Sequence, residues 1–478
     1  MRNRATWWIV PALLGAWVPA GRGAELRVGA ASVSITPDRP VALAGQMHTR
    51  IAQAVESPCT AAVLAIESRD GERVLDQAVF VACDLVAIPK ALSDRVRARL
   101  KDRVPDLDPR KVILSATHTH TAPVVEEGLY DLPAEGIMPP GEYIDFFVGR
   151  VAGTIEAAWD ARRPGAVGWG LGHAVVAQNR RAVYADGRAV MYGATNAPDF
   201  RGIEGYEDHG VEVLFAWDAD RKLIATAVNV ACPSQEVEGR SAVNADFWHG
   251  VRDALRAKHG AGLVVLGWTG AAGDQSPHLM LRQKAEERMR ELRGLDRLGE
   301  LARRVVNAWE EAYEGAKKDI RADVPLVHKV ETLELPVRVV TEEEYARARQ
   351  EAEAAKAPAL LRKRLWHQGV VDRYERQQAG AVPPYAMELH ALRLGEIALA
   401  TNDFELYTEF GIALKARGRA IQTFVIQLAG PGTYLPTAEA VRGGGYSAIA
   451  ESSVVGPEGG AALVEQTLAA LNALWPDR

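Results

Sequence analysis

The chain has 478 residues, 25% of them charged and 48% hydrophobic, with a formal net charge of −6. This is ordinary globular composition, long enough for one large α/β domain or two smaller ones. Basic residues are spread along the chain without forming a block, which argues against nucleic acid or an acidic surface as partner.

The N-terminus stands apart. Arg2 and Arg4 precede an apolar run, Trp7 to Val18, too short to span a bilayer. We read residues 1–24 as a secretory signal peptide, cut after Ala20 or Ala24, and expect the protein to be exported to a periplasm or the medium. An uncleaved anchor is the alternative reading. No later segment is apolar enough to be transmembrane. The three cysteines, Cys59, Cys83 and Cys232, are too few for a disulfide scaffold.

Residues 26–36 alternate and break at Thr36-Pro37, as a strand followed by a turn does. Ala61–Ser68 and Ala78–Val86 read as further strands. Ala91–Arg103 reads as an amphipathic helix, with Leu92, Val96 and Leu100 four apart. Val112-Ile113-Leu114 is a buried strand running out into Thr117-His118-Thr119-His120. Tyr143–Arg162 is a second helix. Val211–Trp217 and Leu223–Cys232 flank a hairpin turn at Asp218–Arg221. Phe247–Lys258 is helical, and Leu263–Leu266 is a strand opening into the Gly-rich loop 267–277. Residues 282–318 and 341–378 are charged and helical, the second stretch broken near Pro358. They are expected as solvent-facing helices or a hairpin laid on the core. Strands Glu388–Leu394 and Ile397–Thr401 and a helix Gly460–Leu474 follow. The order predicts an α/β or layered α+β core, a mixed sheet flanked by helices.

Polar or Gly-rich residues follow a β-run at Thr117–His120, Ala177–Arg181, Val230–Gln235, Gly273–Pro277 and Thr401–Glu405. Strand ends hold loop residues in register, so sites collect there. His118 and His120, two apart in extended backbone, would face one side and suit a metal or an acid/base role. Read alone, each has a plainer reading: a surface or hydrogen-bonded His, a Gly-Asp-Gln-Ser-Pro turn, a surface Glu405, a surface Arg180.

Taken in order, these segments resemble the neutral/alkaline ceramidase family. The similarity rests on Thr117–Pro123, Asn179-Arg180, Gly273–Pro277, Phe404–Tyr407 and Tyr434–Thr437, and covers roughly residues 27–450. It implies a single catalytic domain over 25–478 with helical insertions, lacking the family's C-terminal immunoglobulin-like domain. It also implies a zinc-dependent amidase acting on an N-acyl, lipid-like small molecule, with transient contact to a membrane surface. Carried over residue by residue, His118, Glu405 and Tyr434 would be zinc ligands. His120 would contact the substrate, Ser276 would take the place of the active-site serine with Asp274 beside it, and Arg180 would hold the polar end or the oxyanion. The family's second histidine ligand has no counterpart here. Cys232, before Pro233, occupies its place and is expected either as a thiolate ligand or as a core cysteine. Asp246 and His249 are the fallback ligands, and Gln235 or Glu236 could reach in. Other acylated substrates, a sugar, peptide or ester, and a metal-free binding role are the alternatives.

Overall fold

The computed structural model describes residues 24–476. The expected signal peptide therefore lies outside the described residues, except for Ala24. Strands β1 (Glu25–Ser34), β2 (Thr60–Asp70), β3 (Arg73–Cys83), β4 (Val112–Ala116), β5 (Arg163–His173), β6 (Gly210–Asp218), β7 (Leu223–Val230) and β8 (Val264–Thr269) form one sheet. Its order is β8-β7-β6-β5-β1-β2-β3-β4. The pairings are antiparallel in the middle and parallel at both edges, β7 with β8 and β3 with β4. A second, four-stranded sheet runs β9 (Leu326–Leu335), β10 (Tyr385–Leu394), β11 (Ile397–Thr401), β12 (Gln422–Ile426), and its last pair is also parallel.

The longer helices are α1 (Lys90–Leu100), α2 (Pro140–Asp160), α3 (Phe247–His259), α4 (Gln283–Leu292), α5 (Arg297–Ala316), α6 (Glu342–Ala354), α7 (Leu361–Gln378), α8 (Thr408–Arg417) and α9 (Pro457–Asn472). Side-chain alternation along the strands decides the layering. In β2, Ala61, Val63 and Ala65 pack under α1 and α2. Ala62, Leu64 and Ile66 point the other way, onto Leu392, Ile397 and Phe424 of the second sheet. Under the other half of the large sheet, Val213 and Phe215 meet Val251 of α3 and Val305 and Trp309 of α5. The outer face of the second sheet is closed by Leu414 of α8 and Leu463 and Leu468 of α9. The result is four layers, helix–sheet–sheet–helix. Strands covered on both faces read as unbroken apolar runs, which is why β2, β3 and β8 were legible.

This is the expected α/β class, with differences in detail. Strand β5 was not predicted. Its glycines supply no apolar signal, because a Cβ at Gly170 or Gly172 would lie 2.6 or 2.0 Å from the Ala312 or Ala308 carbonyl oxygen of α5. The 282–318 stretch splits in two. α4 buries no residue, whereas α5 lays Leu301, Val305 and Trp309 on the core. The 341–378 stretch is a helical hairpin opened by a capping box at Thr341 and Glu344. Among the described residues no helix is long and apolar enough to cross a membrane. All three cysteines are buried and unpaired.

One ion cluster on α5 gives a test of the fold. The Glu300 side chain is 1% exposed and receives Arg303 and Arg304 at 2.8 and 2.9 Å. Bonding to Arg303 is the main reason its pKa falls to about 2. A depressed carboxylate pKa stabilises the fold above the ordinary range, and that stability is lost as pH falls through the folded value. Glu300→Gln should lower the unfolding free energy at pH 7 on the order of 2 kcal/mol, less than the full shift because Arg303 meets solvent. The difference from the parent, followed by urea titration, should shrink toward zero as pH falls toward about 2.

Candidate functional site

The site lies where the C-terminal ends of the parallel strands come together. Ala116 N, at the end of β4, donates to Leu428 O beyond β12 (3.1 Å), and Gln427 N donates to Thr269 O at the end of β8 (3.0 Å). Gln427 also accepts from the amides of Ala272 (3.1 Å) and Leu406 (2.9 Å), joining the Gly-rich loop to the Glu405 segment. Past β4 the chain turns sharply. Thr117 donates its hydroxyl to Asp84 (3.1 Å), and Asp84 is held by both terminal nitrogens of Arg252 at 2.6 and 2.9 Å. His118 follows with φ +68°, a left-handed conformation unusual for a non-glycine residue and pinned by its amide on Leu85 O (2.9 Å).

His118 Nδ1 donates to Val86 O at 2.7 Å, which aims Nε2 at the centre of the site. There it lies 3.2 Å from Glu405 Oε2 and 3.1 Å from His120 Nε2. His120 presents Nδ1 to Glu238 at 3.5 Å, and Glu238 bonds His278 on its other side at 3.3 Å. Gly45 (φ +96°) lies flat on the His120 ring, where a Cβ would come within 2.6 Å of Cγ. Arg50 donates to the carbonyls of His120 (2.5 Å) and Ala44 (2.6 Å) through one nitrogen and to those of Glu238 (2.7 Å) and Arg240 (2.6 Å) through the other.

Arg180 is fully enclosed behind this row. It donates to Tyr434 OH (3.0 Å), to Gly273 O (2.9 Å) and to Gln235 Oε1 (3.3 Å). Tyr434 in turn hydrogen-bonds Glu405. Ser276 is buried, 3.0 Å from the Tyr192 hydroxyl, and accepts from His278 N at 3.1 Å. Asp274 holds the scaffold: one oxygen accepts from Thr408 N (2.9 Å) and Oγ1 (2.7 Å), the other from Asn179 (2.8 Å).

Burial works against charge on His118, but the Glu405 carboxylate overcomes it and raises the ring's pKa. Burial, with the His118 charge beside it, drives His120 down to about 3. Burial also lifts the Tyr434 phenol well above its ordinary range, so it stays protonated. Glu238 is desolvated too, yet His278 and His120 bring it down to about 2, a fixed negative charge under His120.

His118, His120, Glu405 and Tyr434 line a cavity of about 330 Å³. Its remaining wall includes Val86, Pro89, Val124, Leu129, Trp366 and Tyr446, the tryptophan from α7. A larger polar chamber of about 810 Å³ adjoins it, lined by Tyr192, Glu236, Glu238, His278, Arg290 and Arg297.

The structure thus gathers His118, His120, Glu405 and Tyr434 around one cavity, with Arg180 enclosed behind them and Ser276 and Asp274 in the loop beyond. Cys232 goes elsewhere. It is fully buried in the apolar cluster of Phe247 and Trp248, with its thiol on Pro233 O (3.5 Å). Burial raises that thiol well above its ordinary pKa, with Asp246 adding to the effect. The fallback residues are also engaged. Asp246 caps α3, accepting from Phe247 N (2.8 Å) and Val237 N (3.0 Å). His249 pairs with Asp253 on the outer face of α3 (3.3 Å), and Glu236 pairs with Arg297 (3.4 Å). Gln235 does reach in, between Arg180 and Glu238.

Among the described residues no closed cluster of three His, Cys, Asp or Glu side chains is present. The donors form a row, Glu405–His118–His120, with the Tyr434 phenol at the carboxylate end. Two imidazoles, a carboxylate and a phenol are nitrogen and oxygen donors suited to zinc. Arg50, Tyr192, Glu238, His278 and Gln427 were not anticipated. Glu238, three residues beyond Gln235, could have been found by extending that polar segment. The others carry no local signal.

No family model matches the chain, and no curated protein matches it. Solved structures do. The neutral ceramidase from Pseudomonas aeruginosa superposes with a TM-score of 0.69 at 20% identity, covering 94% of this chain and 74% of that one. The chain has the neutral ceramidase fold. A structure described as a ceramidase complexed with C2 matches the same 94% of the chain, and 75% of its own, with a TM-score of 0.67 and 17% identity. Against this ceramidase-like fold, the row of donors lies at strand ends, where the sequence motifs had placed it.

Proposed function

We propose that the protein is an exported, zinc-dependent hydrolase that cleaves the amide bond of an N-acyl, lipid-like substrate. The observation that carries this reading is the Glu405–His118–His120 row, backed by Arg180 and Tyr434, on the wall of a part-apolar cavity in a ceramidase-like fold. His118, Glu405 and Tyr434 would hold the zinc. A bound zinc ion supplies Lewis acidity toward a carbonyl and an activated water at neutral pH.

The chain's own groups do the rest. Val86 O fixes the His118 tautomer. Arg180 orients the phenol of Tyr434 by donating to its oxygen, which leaves the phenolic hydrogen for Glu405. The enclosed guanidinium keeps a positive charge one bond behind the cavity wall, where negative charge develops on a carbonyl oxygen. Val86, Pro89, Val124, Leu129 and Trp366 exclude water and suit an acyl chain. The export reading rests on the charged and apolar pattern of residues 1–24.

A polar acylated substrate is the second reading. The chamber of about 810 Å³ beyond Glu238 favours it, since its charged wall suits a sugar or peptide moiety better than a second hydrocarbon chain. The test is hydrolysis of N-acyl amides, with ceramides and N-acyl amino sugars in one panel, before and after chelation. Turnover should stop on chelation and return with zinc. His118→Ala should lose bound zinc and reduce turnover by more than about 10³-fold. Full activity in a metal-free preparation would overturn the reading.

A further inference from the structure

The geometry points to His120, and not Cys232, as the second side chain besides His118 to bring a nitrogen or sulfur donor to the metal, so that both rings of the His-X-His motif are ligands. This rests on the metal-dependent reading above.

His118 Nδ1 gives its hydrogen to Val86 O (2.7 Å), so in the neutral ring Nε2 carries a lone pair. That lone pair faces two atoms that also offer lone pairs, Glu405 Oε2 at 3.2 Å and His120 Nε2 at 3.1 Å. Such atoms repel unless a proton or a metal cation lies among them, and a metal ion can satisfy all three at once. Donors on a tetrahedral zinc with bonds of about 2.0–2.2 Å stand roughly 3.3–3.5 Å apart. The spacing along the row is close to that, and an ion bonded to His118 Nε2 is within reach of both neighbours.

The surroundings of His120 match those of a ligand. Metal-bound imidazoles direct their other nitrogen to a carboxylate or carbonyl. His120 Nδ1 faces Glu238 at 3.5 Å, and it is otherwise a buried nitrogen without a hydrogen-bond partner. Gly45 presses on the ring face, and Arg50 ties down the backbone of both His120 and Glu238. A ring that only touched a passing substrate would not need three separate restraints. Cys232 has the opposite setting, an apolar cluster with its thiol on the Pro233 carbonyl.

Cobalt(II) distinguishes the two donors without reference to turnover, because a thiolate ligand adds an intense near-ultraviolet charge-transfer band that imidazole does not. Purified parent, Cys232→Ser, His120→Ala, His120→Gln and Glu238→Gln proteins would be stripped and titrated with cobalt, with circular dichroism checking the fold of each. The parent and Cys232→Ser should bind one cobalt per chain with the same spectrum and no thiolate band. Both His120 variants should lose more than about 100-fold in affinity. Glu238→Gln should lose about 10–100-fold, the usual cost of removing an outer partner. A thiolate band in the parent that vanishes in Cys232→Ser would overturn the assignment. So would unchanged affinity in a folded His120 variant, or a parent that binds no cobalt. Amide hydrolysis by the parent is scored separately: turnover with a spectrum that excludes His120 removes this inference alone, whereas no turnover on any amide removes the functional reading.

Discussion

Replacing Arg252 with methionine is expected to destabilise the protein by about 3–5 kcal/mol, the cost of leaving a buried charge without its partner. Asp84 is 0% exposed and Arg252 2%. The guanidinium meets the carboxylate through two bonds, at 2.6 and 2.9 Å. The amide of Thr60 (2.8 Å) and the hydroxyl of Thr117 (3.1 Å) share the same carboxylate. Without the guanidinium, two neutral donors remain to satisfy an ion held away from water. The double variant Asp84→Asn, Arg252→Met should recover part of the loss, because no charge is then stranded. Urea unfolding at pH 7 measures both. A loss under about 1 kcal/mol in Arg252→Met would mean that the carboxylate finds water or a proton, and that the pair does not anchor Thr117 and the His118 turn after it.

That pair shows where the sequence was informative and where it was not. The strands β2, β3 and β8 announce themselves because each carries an apolar run buried on both faces, Ala61–Ile66, Ala78–Cys83 and Val264–Leu266. The two-sheet stacking does not, since an apolar run does not say whether a helix or another sheet covers it. Strand β5 is invisible because close packing against α5 selects glycine in place of a β-former. In the site, His118 and Glu405 stood out because each follows a strand in a recognisable segment, whereas Tyr434 was named through the family resemblance alone. Arg50 and Gln427 act through long-range bonds to backbone groups, and no local pattern encodes those. Cys232 shows the limit of aligning a motif: the position is kept, but β7 ends with the thiol turned into the α3 and α5 cluster. What decides between ligand and core is the direction of one side chain, which spacing alone does not fix.

Gly273→Ala should leave the protein folded and reduce turnover by about 100-fold, comparable to a displacement of about 1 Å at a reacting centre. Gly273 is where the Gly-rich loop crosses the Glu405 segment. A Cβ there would lie 2.2 Å from Glu405 O and 2.7 Å from its carbonyl carbon, so one of the two backbones must move. Neither is free to move alone. Gly273 N donates to Leu406 O (2.8 Å), Gln427 bonds both segments, and Asp274 next in the chain is held by Thr408 (2.7 Å) and Asn179 (2.8 Å). The displacement is therefore passed to Glu405, which faces His118, and to Arg180, which donates to Gly273 O at 2.9 Å. Both sides of the cavity shift although no reacting group is changed. The fall should appear mainly in kcat, with KM altered little, because the apolar wall of Val86, Val124 and Trp366 belongs to other segments. A folded Gly273→Ala protein with parental kcat would mean that the loop yields without moving Glu405, and that the close crossing at Gly273 does not set the spacing of the donor row.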